Sequence, residues 1–294
     1  MQADLNQCKI HPEKTKNKIC KKCKQIFCSK CSKKAHETHN PISFSSKLLK
    51  THELLGYLGK GSFGYVLSAF NPLTKMAYAL KIIENVNDES ILKETSIEIQ
   101  TLCQLQHVNI IRFFSADYIK KEERIIIHME LADQSLSNVI KTLDLATAIT
   151  YFSQICEGLK YLHQSHFIHK DLKPGNILIK DGMAKLADLG LTKKREKTMM
   201  SFSKLFGTFS YLPPEVLKGQ KFNEKVDVWA IGVIFHQMLS SGENPFKGVS
   251  EEETTSKILD PNIKLDQKIC KNAKLEKIIR GKTFFFILIF SFLV

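Results

Sequence analysis

Eight side chains near the N-terminus form four close pairs of soft metal donors: Cys8 with His11, Cys20 with Cys23, Cys28 with Cys31, and His36 with His39. Two donors separated by two residues can clamp one ion, because a tight turn brings them within about 4 Å of each other. Eight donors suffice for two tetrahedral sites. Sulfur and imidazole suit zinc better than magnesium or calcium, which take oxygen. A second set of residues suits phosphate. Gly59-Lys60-Gly61-Ser62-Phe63-Gly64-Tyr65-Val66 fits G-x-G-x-x-G-x-V, with glycines where a backbone can approach phosphate oxygens closely. Alone this string also matches a hairpin turn or a dinucleotide-binding loop, but the latter opens a helix and β-like sequence follows here. Lys81 ends the apolar stretch Tyr78-Ala79-Leu80-Lys81, where by itself it reads as a surface charge.

These residues need elements to position them. The chain has 294 residues, 43% hydrophobic and 25% charged, with a net charge of +13. That balance excludes a mostly disordered chain, a collagen-like repeat and a multi-span membrane protein. The basic excess by itself admits nucleic acid, an anionic membrane surface or nucleotide phosphates as partners. Five of the eight cysteines fall near the N-terminus, and the opening residues lack the apolar core of a secretory signal. The expected address is the cytoplasm, where reduced cysteines in clusters mean metal.

Residues 1–40 hold ten lysines against three acids and are too few to build an adequate apolar core. Residues 41–50 read as a linker, 51–282 as a globular region and 283–294 as an apolar tail. In the globular region, 52–85 is β-rich, with turn signals at Gly59-Lys60-Gly61 and Asn71-Pro72. Helical periodicity begins at Ser90, short strands are expected at 111–119 and 124–130, and long helices at 144–166 and 226–241. The prediction is α+β: a small β-rich lobe followed by a larger helical one. The tail 284–294 has ten apolar residues in eleven. As a helix it reaches about 16 Å, short of the ~30 Å of a hydrocarbon core, so membrane association through it is the alternative address.

The Cys/His pattern of residues 8–39 resembles the B-box zinc finger. The resemblance implies two interleaved zinc sites: Cys8, His11, Cys28 and Cys31 at one, Cys20, Cys23, His36 and His39 at the other. It also implies a module that binds a protein partner and that folds around its metal. Nucleic acid is not expected, since Phe27 is the only aromatic within the finger and stacking would need more.

Farther on come Ile168-His169-Lys170-Asp171-Leu172-Lys173-Pro174-Gly175-Asn176-Ile177-Leu178-Ile179, then Lys185-Leu186-Ala187-Asp188-Leu189-Gly190, Gly207-Thr208-Phe209-Ser210-Tyr211-Leu212-Pro213-Pro214-Glu215 and Asp227-Val228-Trp229-Ala230-Ile231-Gly232. With the glycine-rich string and Lys81, their order and spacing resemble a eukaryotic-type serine/threonine protein kinase over residues 52–282. The resemblance implies a two-lobed fold and ATP-dependent phosphorylation of Ser/Thr hydroxyls on proteins. It implies that Lys81 grips the ATP phosphates and is paired with Glu98, with Glu94 as the fallback. Asp171 is then the catalytic carboxylate, Lys173 neutralises the transferred phosphoryl group, and Asn176 and Asp188 hold Mg²⁺. Thr208 belongs to the substrate-docking loop. Around ATP the resemblance places Leu58, Gly59, Lys60, Gly61, Ser62, Gly64, Val66 and Ala79 above the adenine and phosphates. Leu178 lies below, Met129 is the gatekeeper, and Glu130, Leu131 and Ala132 lie along the adenine edge. Asp133 reaches toward the ribose.

Several positions depart from the family pattern. Lys170 stands where Arg is usual and lacks the bidentate fork that receives a loop phosphate on Thr198, Ser201 or Ser203. Leu189 replaces Phe, and Pro213 replaces Ala. Gly175 replaces a Glu common in kinases that prefer basic substrates. No Arg follows Arg280 to pair with Glu215, so the helical lobe is expected to be cut short and less stable. These departures make a catalytically weak scaffold the alternative to an active kinase.

Overall fold

The structure is a computed structural model that describes residues 51–60, 64–194 and 208–260, together with the backbone of three short strands nearer the N-terminus. Those strands are β1 (Lys16–Cys20), β2 (Gln25–Cys28) and β3 (Ile42–Ser43). They form an antiparallel sheet in the order β2-β1-β3. Ile42 and Ser43 lie in the stretch read as linker. Their pairing with Ile19 and Lys18 makes them a third strand instead, a correction with a simple cause: the backbone groups of β1's second edge find partners there.

The chain divides into two compact units, Met1–Ile99 with Arg112–Leu131, and Gln100–Ile111 with Ala132–Val294. The first carries a five-stranded antiparallel sheet. Its strands are β4 (Glu53–Lys60), β5 (Gly64–Asn71), β6 (Met76–Ile83), β7 (Phe113–Ile119) and β8 (Arg124–Glu130), in the order β4-β5-β6-β8-β7. Successive side chains of β5 and β6 point to opposite faces of the sheet, and β6 is buried on both from Ala79 to Ile83. Tyr65, Leu67 and Ala69 face the same side as Leu80 and Ile82, and with Leu54 and Ile126 they form a buried cluster. At the turn between β5 and β6, the Asn71 side chain accepts hydrogen bonds from the N–H groups of Leu73 and Thr74, as the Asn-Pro signal implied. Gly64 is required where it stands, because a Cβ there would lie 1.7 Å from the Ile82 carbonyl oxygen. Helix α1 (Glu89–Gln104) follows Asp88, whose carboxylate caps it through Ser90 and Ile91.

The second unit is mainly helical. Short α2 (Leu136–Val139) precedes α3 (Leu145–Gln164), which Asp144 caps at Thr147. Ala148, Phe152, Ile155, Leu159 and Leu162 repeat at helical spacing and are buried. The Phe152 ring stacks 4.0 Å from Phe235 on α5 (Lys225–Leu239), a helix buried on nearly every side. Strands β9 (Gln134–Ser135), β11 (Ile177–Lys180) and β12 (Met183–Leu186) form one small sheet. Strands β10 (Phe167–Ile168) and β13 (Lys193–Lys194) form another. Helices α4 (Pro214–Leu217) and α6 (Glu251–Leu259) complete the described part. Among the described residues, no helix is long and apolar enough to cross a membrane. The tail 283–294 lies outside them.

Candidate catalytic site

In the first unit, register places the expected phosphate and adenine contacts on one face of the sheet. Val66 pairs with Lys81 across β5 and β6, and Ala79 pairs with Met129 across β6 and β8. Directly opposed residues share a face, as do Ala79 and Lys81 two apart. Lys81 Nζ donates to Glu98 Oε1 at 2.6 Å, with the side chains only 10% and 6% exposed. Glu98 on α1, rather than Glu94, therefore holds the lysine. Burying both charges costs desolvation, which the short bond offsets by fixing the strand and helix in one arrangement. Leu58 is half exposed, and Gly59 and Lys60 end β4. Gly61 and Ser62 lie outside the described residues. Glu130 is tied back to its neighbour strand: its N–H donates to the Arg112 carbonyl, and its carboxylate accepts from the Arg112 N–H.

The second unit builds the loop around Asp171. Its Oδ2 accepts from Lys173 Nζ at 2.8 Å and from Asn176 Nδ2 at 2.9 Å. Its Oδ1 accepts from the Thr208 N–H at 3.1 Å. Three residues thus fix the orientation of one carboxylate that is itself 8% exposed. Asn176 Nδ2 also donates to the Asp171 carbonyl at 2.7 Å. With its amide nitrogen so engaged, Asn176 has Oδ1 left as an oxygen donor.

Asp188, the other expected metal ligand, is exposed and lies in the left-handed region at φ 59°. A non-glycine residue is held there only when its neighbours over-determine it. Ala187 does so: its N–H donates to the Asn176 carbonyl at 2.9 Å, and its own carbonyl accepts from His169 Nε2 at 3.0 Å. His169 is fully buried. Its Nδ1 accepts from the Asp171 N–H, so this ring bridges the two segments that carry Asp171 and Asp188. An amide oxygen and a carboxylate are the hard donors that magnesium takes alongside phosphate oxygens, so this donor set fits Mg²⁺.

The loop is carried by Asp227, which opens one of the sequence strings but is given no role in the sequence reading, together with His163, which that reading does not name. Asp227, 1% exposed at the start of α5, accepts from the N–H groups of His169 and Lys170, each at 2.8 Å, and from His163 Nε2 at 2.9 Å. Burial pushes its carboxyl up. The hydrogen bond and charge of His163, the charge of His169 and the Lys170 N–H outweigh that and hold it below the ordinary value. The available signal was an acid inside an otherwise apolar helix, a residue type almost never buried unless paired. Lys170 lies at φ 69°, a turn held by the same carboxylate. Leu189 is buried and Leu178 half-buried. Asp133, expected near the ribose, instead accepts from Lys180 Nζ and the Asp181 N–H, pinning the β11–β12 turn.

Of the zinc donors, only the backbone of Cys20 and Cys28 is described; Cys8, His11, Cys23, Cys31, His36 and His39 lie outside the described residues. Cys20 pairs with Gln25 and Cys28 with Lys16, at opposite ends of the β1–β2 hairpin. Thr198, Ser201, Ser203 and Arg280 are likewise outside the described residues.

A paired lysine on a β-sheet, and a carboxylate loop pinned from beneath by a helix, define a class of phosphotransfer fold. The protein kinase domain model matches residues 52–282, and the chain belongs to the protein kinase family, on its serine/threonine branch. The B-box zinc finger model matches residues 3–44. Among similar proteins, Aurora kinase B of Danio rerio is 32% identical over 256 residues, covering 82% of this chain and 77% of that protein. Aurora kinase B of Mus musculus is 32% identical over 228 residues, 74% of this chain and 64% of its own. The Aurora kinase of Candida glabrata is 33% identical over 246 residues, 79% of this chain and 66% of its own. The chain thus spans less than two thirds of the mouse and yeast proteins.

Proposed function

We propose that this chain transfers the γ-phosphate of ATP to serine or threonine hydroxyls of protein substrates. The observation that supports it most is the Asp171 carboxylate, oriented by Lys173, Asn176 and Thr208. In this reading Asp171 orients the acceptor hydroxyl and takes its proton as the oxygen bonds to the γ-phosphorus and the bond to ADP breaks. Lys173 offsets charge on the group in transfer, and Lys81, steadied by Glu98, holds the ATP phosphates. Asn176 and Asp188 would hold Mg²⁺, which neutralises phosphate charge. The remaining adenine and phosphate contacts are those the family pattern assigns, Leu58, Gly59, Lys60, Gly61, Ser62, Gly64, Val66, Ala79, Met129, Glu130, Ala132 and Leu178. The test is phosphate incorporation into a generic protein substrate by wild type and by Asp171→Asn. A loss of about 10²–10⁴-fold is expected. Equal activity in both, or none in either, favours a binding scaffold.

The reading also takes residues 1–40 as a zinc module that docks a protein partner and binds two zinc ions. Cys28 stands three residues along β2 from Gln25, the partner of Cys20 on the neighbouring strand, about 10 Å at ~3.3 Å per residue before the spacing between strands is added. One zinc with sulfur bonds of about 2.3 Å cannot reach both. Metal analysis should find two zinc ions per chain; one would refute the two-site assignment. Residues 51–282 are the kinase domain and 283–294 a separate tail. The address is cytoplasmic, supported by cysteines used for metal. A tagged chain that sediments with membranes, and is released by deleting 284–294, would favour the membrane alternative.

A further inference from the structure

Two outer strands from different sheets meet within the first compact unit. β2 is an outer strand of the three-stranded sheet, and β4 is an outer strand of the five-stranded one. Their backbones lie close, with Cα atoms of one within 8 Å of the other. An outer strand presents a row of backbone groups to whatever packs beside it, and for β4 that neighbour is β2. β4 is weakly held by its own sheet. Its pairing with β5 shifts register twice, between Leu54 and Gly56 and between Tyr57 and Gly59, and such irregularities bend a strand and interrupt its ladder. Its first end is fixed: His52 is buried, with its ring 5.7 Å from that of Tyr78 on β6 and 5.2 Å from that of His128 on β8. Its other end, Gly59 and Lys60, pairs with Val66 and Tyr65. Leu58, Gly59 and Lys60 are nucleotide contacts in the family pattern. Support given to β4 from its outer side is therefore felt where nucleotide binds.

β2 depends in turn on what brackets it. β1 ends at Cys20 and β2 ends at Cys28, and after two further residues each is followed by a second cysteine, Cys23 or Cys31. These thiols are the donors zinc takes, and they stand at both ends of β2. Strands of five, four and two residues make a sheet too small to hold without such support. Residues 44–52 join β3 to β4. So short a connection keeps β2 beside β4 at an effective concentration of about a millimolar, enough for a small contact to persist. We propose that the zinc module is docked on β4 and that the β2–β4 contact couples zinc occupancy to nucleotide binding. Metal at the cysteine pairs orders β2, β2 steadies β4, and β4 presents residues 58–60 to nucleotide. The inference rests on the zinc and kinase readings above. The coupling is reciprocal, so nucleotide tightens zinc binding by the factor that zinc tightens nucleotide binding.

The experiment uses the full chain with ADP and excess Mg²⁺, before and after treatment with a zinc-selective chelator. ADP affinity measured by calorimetry should fall about five- to tenfold when zinc is removed and recover when zinc is restored. Amide hydrogen exchange should quicken over residues 54–60, while α3 and α5 keep their protection. Cys28→Ser, which removes a zinc donor and touches no nucleotide, should reproduce both changes without a chelator. Saturating ADP should raise zinc affinity by the same factor. ADP affinity that zinc removal leaves unchanged, or exchange that quickens in α3 and α5 as much as in β4, overturns the coupling and leaves the kinase reading intact. A chain that carries no zinc overturns the coupling together with the zinc reading. No ADP binding in either state overturns it together with the kinase reading.

Discussion

Lys81 and Asp171 are both buried charged groups, but the two units hold them differently. Lys81 is bonded to a glutamate on a helix seventeen residues away. Asp171 sits in a mesh in which Lys173, Asn176 and Thr208 bond its carboxylate, while Asp227 and His169 hold its backbone from behind. A bond between a strand and a helix breaks when either moves. A loop bonded from several sides opens only as a whole. The first arrangement suits a group whose position is to be switched, the second a group whose position must not vary.

The comparison is broken most severely at Asp227. Asp227→Ala removes the acceptor of two buried N–H groups, each worth about 1–3 kcal/mol when left unmade. It should lower the melting temperature measured by calorimetry by ten degrees or so, at roughly 2–4 °C per kcal/mol, and abolish activity although Asp227 touches no substrate. At the other pair, Lys81→Met leaves Glu98 buried without its partner and should cost about 3–5 kcal/mol. Adding Glu98→Leu should restore most of the melting temperature but none of the phosphate transfer. A double variant as unstable as the single one would mean the pair is not an independent two-body contact.

A smaller effect tests the packing of α3 against Asn109, which hydrogen-bonds to Ala184 and Leu186 of β12. A Cβ on Gly158 of α3 would lie 2.6 Å from the Asn109 carbonyl oxygen, so Gly158→Ala should cost about 1–3 kcal/mol by denaturant unfolding.

The smallest effect is that of pH. His52 and His128 are buried, their rings 5.2 Å apart, and His128 Nε2 lies 3.0 Å from Asp117. Burial holds both below the ordinary value of 6.5; the neighbouring histidine pushes His52 down further, while Asp117 opposes the shift of each. The unfolded chain therefore binds more protons, and the stability these groups contribute is lost as pH falls below 6.5. The depressed Asp227 carboxyl loses its contribution only when pH drops through its folded value, below 3.8. Melting temperature should begin to fall in the histidine window, and His52→Phe with His128→Leu should flatten that slope. An unchanged slope would show that other groups carry it.

Much of this was legible in the letters. The β-rich stretch 52–85, the Asn71-Pro72 turn and the apolar stripe of α3 announced their elements. The strings around Asp171 and Asp188 announced the chemistry. Less legible were contacts set by distance in space. Of two glutamates a turn apart on one helix the resemblance put Glu98 first, and only the fold brings it to 2.6 Å from Lys81. The Asp133 carboxylate is taken by Lys180, forty-seven residues away, and the pairing of Ile42–Ser43 with β1 needed the sheet edge to be in place.

What the sequence determined alone is the set of groups: eight soft donors in pairs, one lysine in an apolar strand, and an acid, an amide and a second acid at fixed spacing. Side-chain type and local periodicity are written residue by residue, so they survive without a fold. What the tertiary structure decided is who pairs with whom. The Asp227 carboxylate becomes an anchor only because folding buries it beneath two N–H groups and an imidazole fifty-seven to sixty-four residues distant in the chain. In that dry place an unmade bond costs more than one in water.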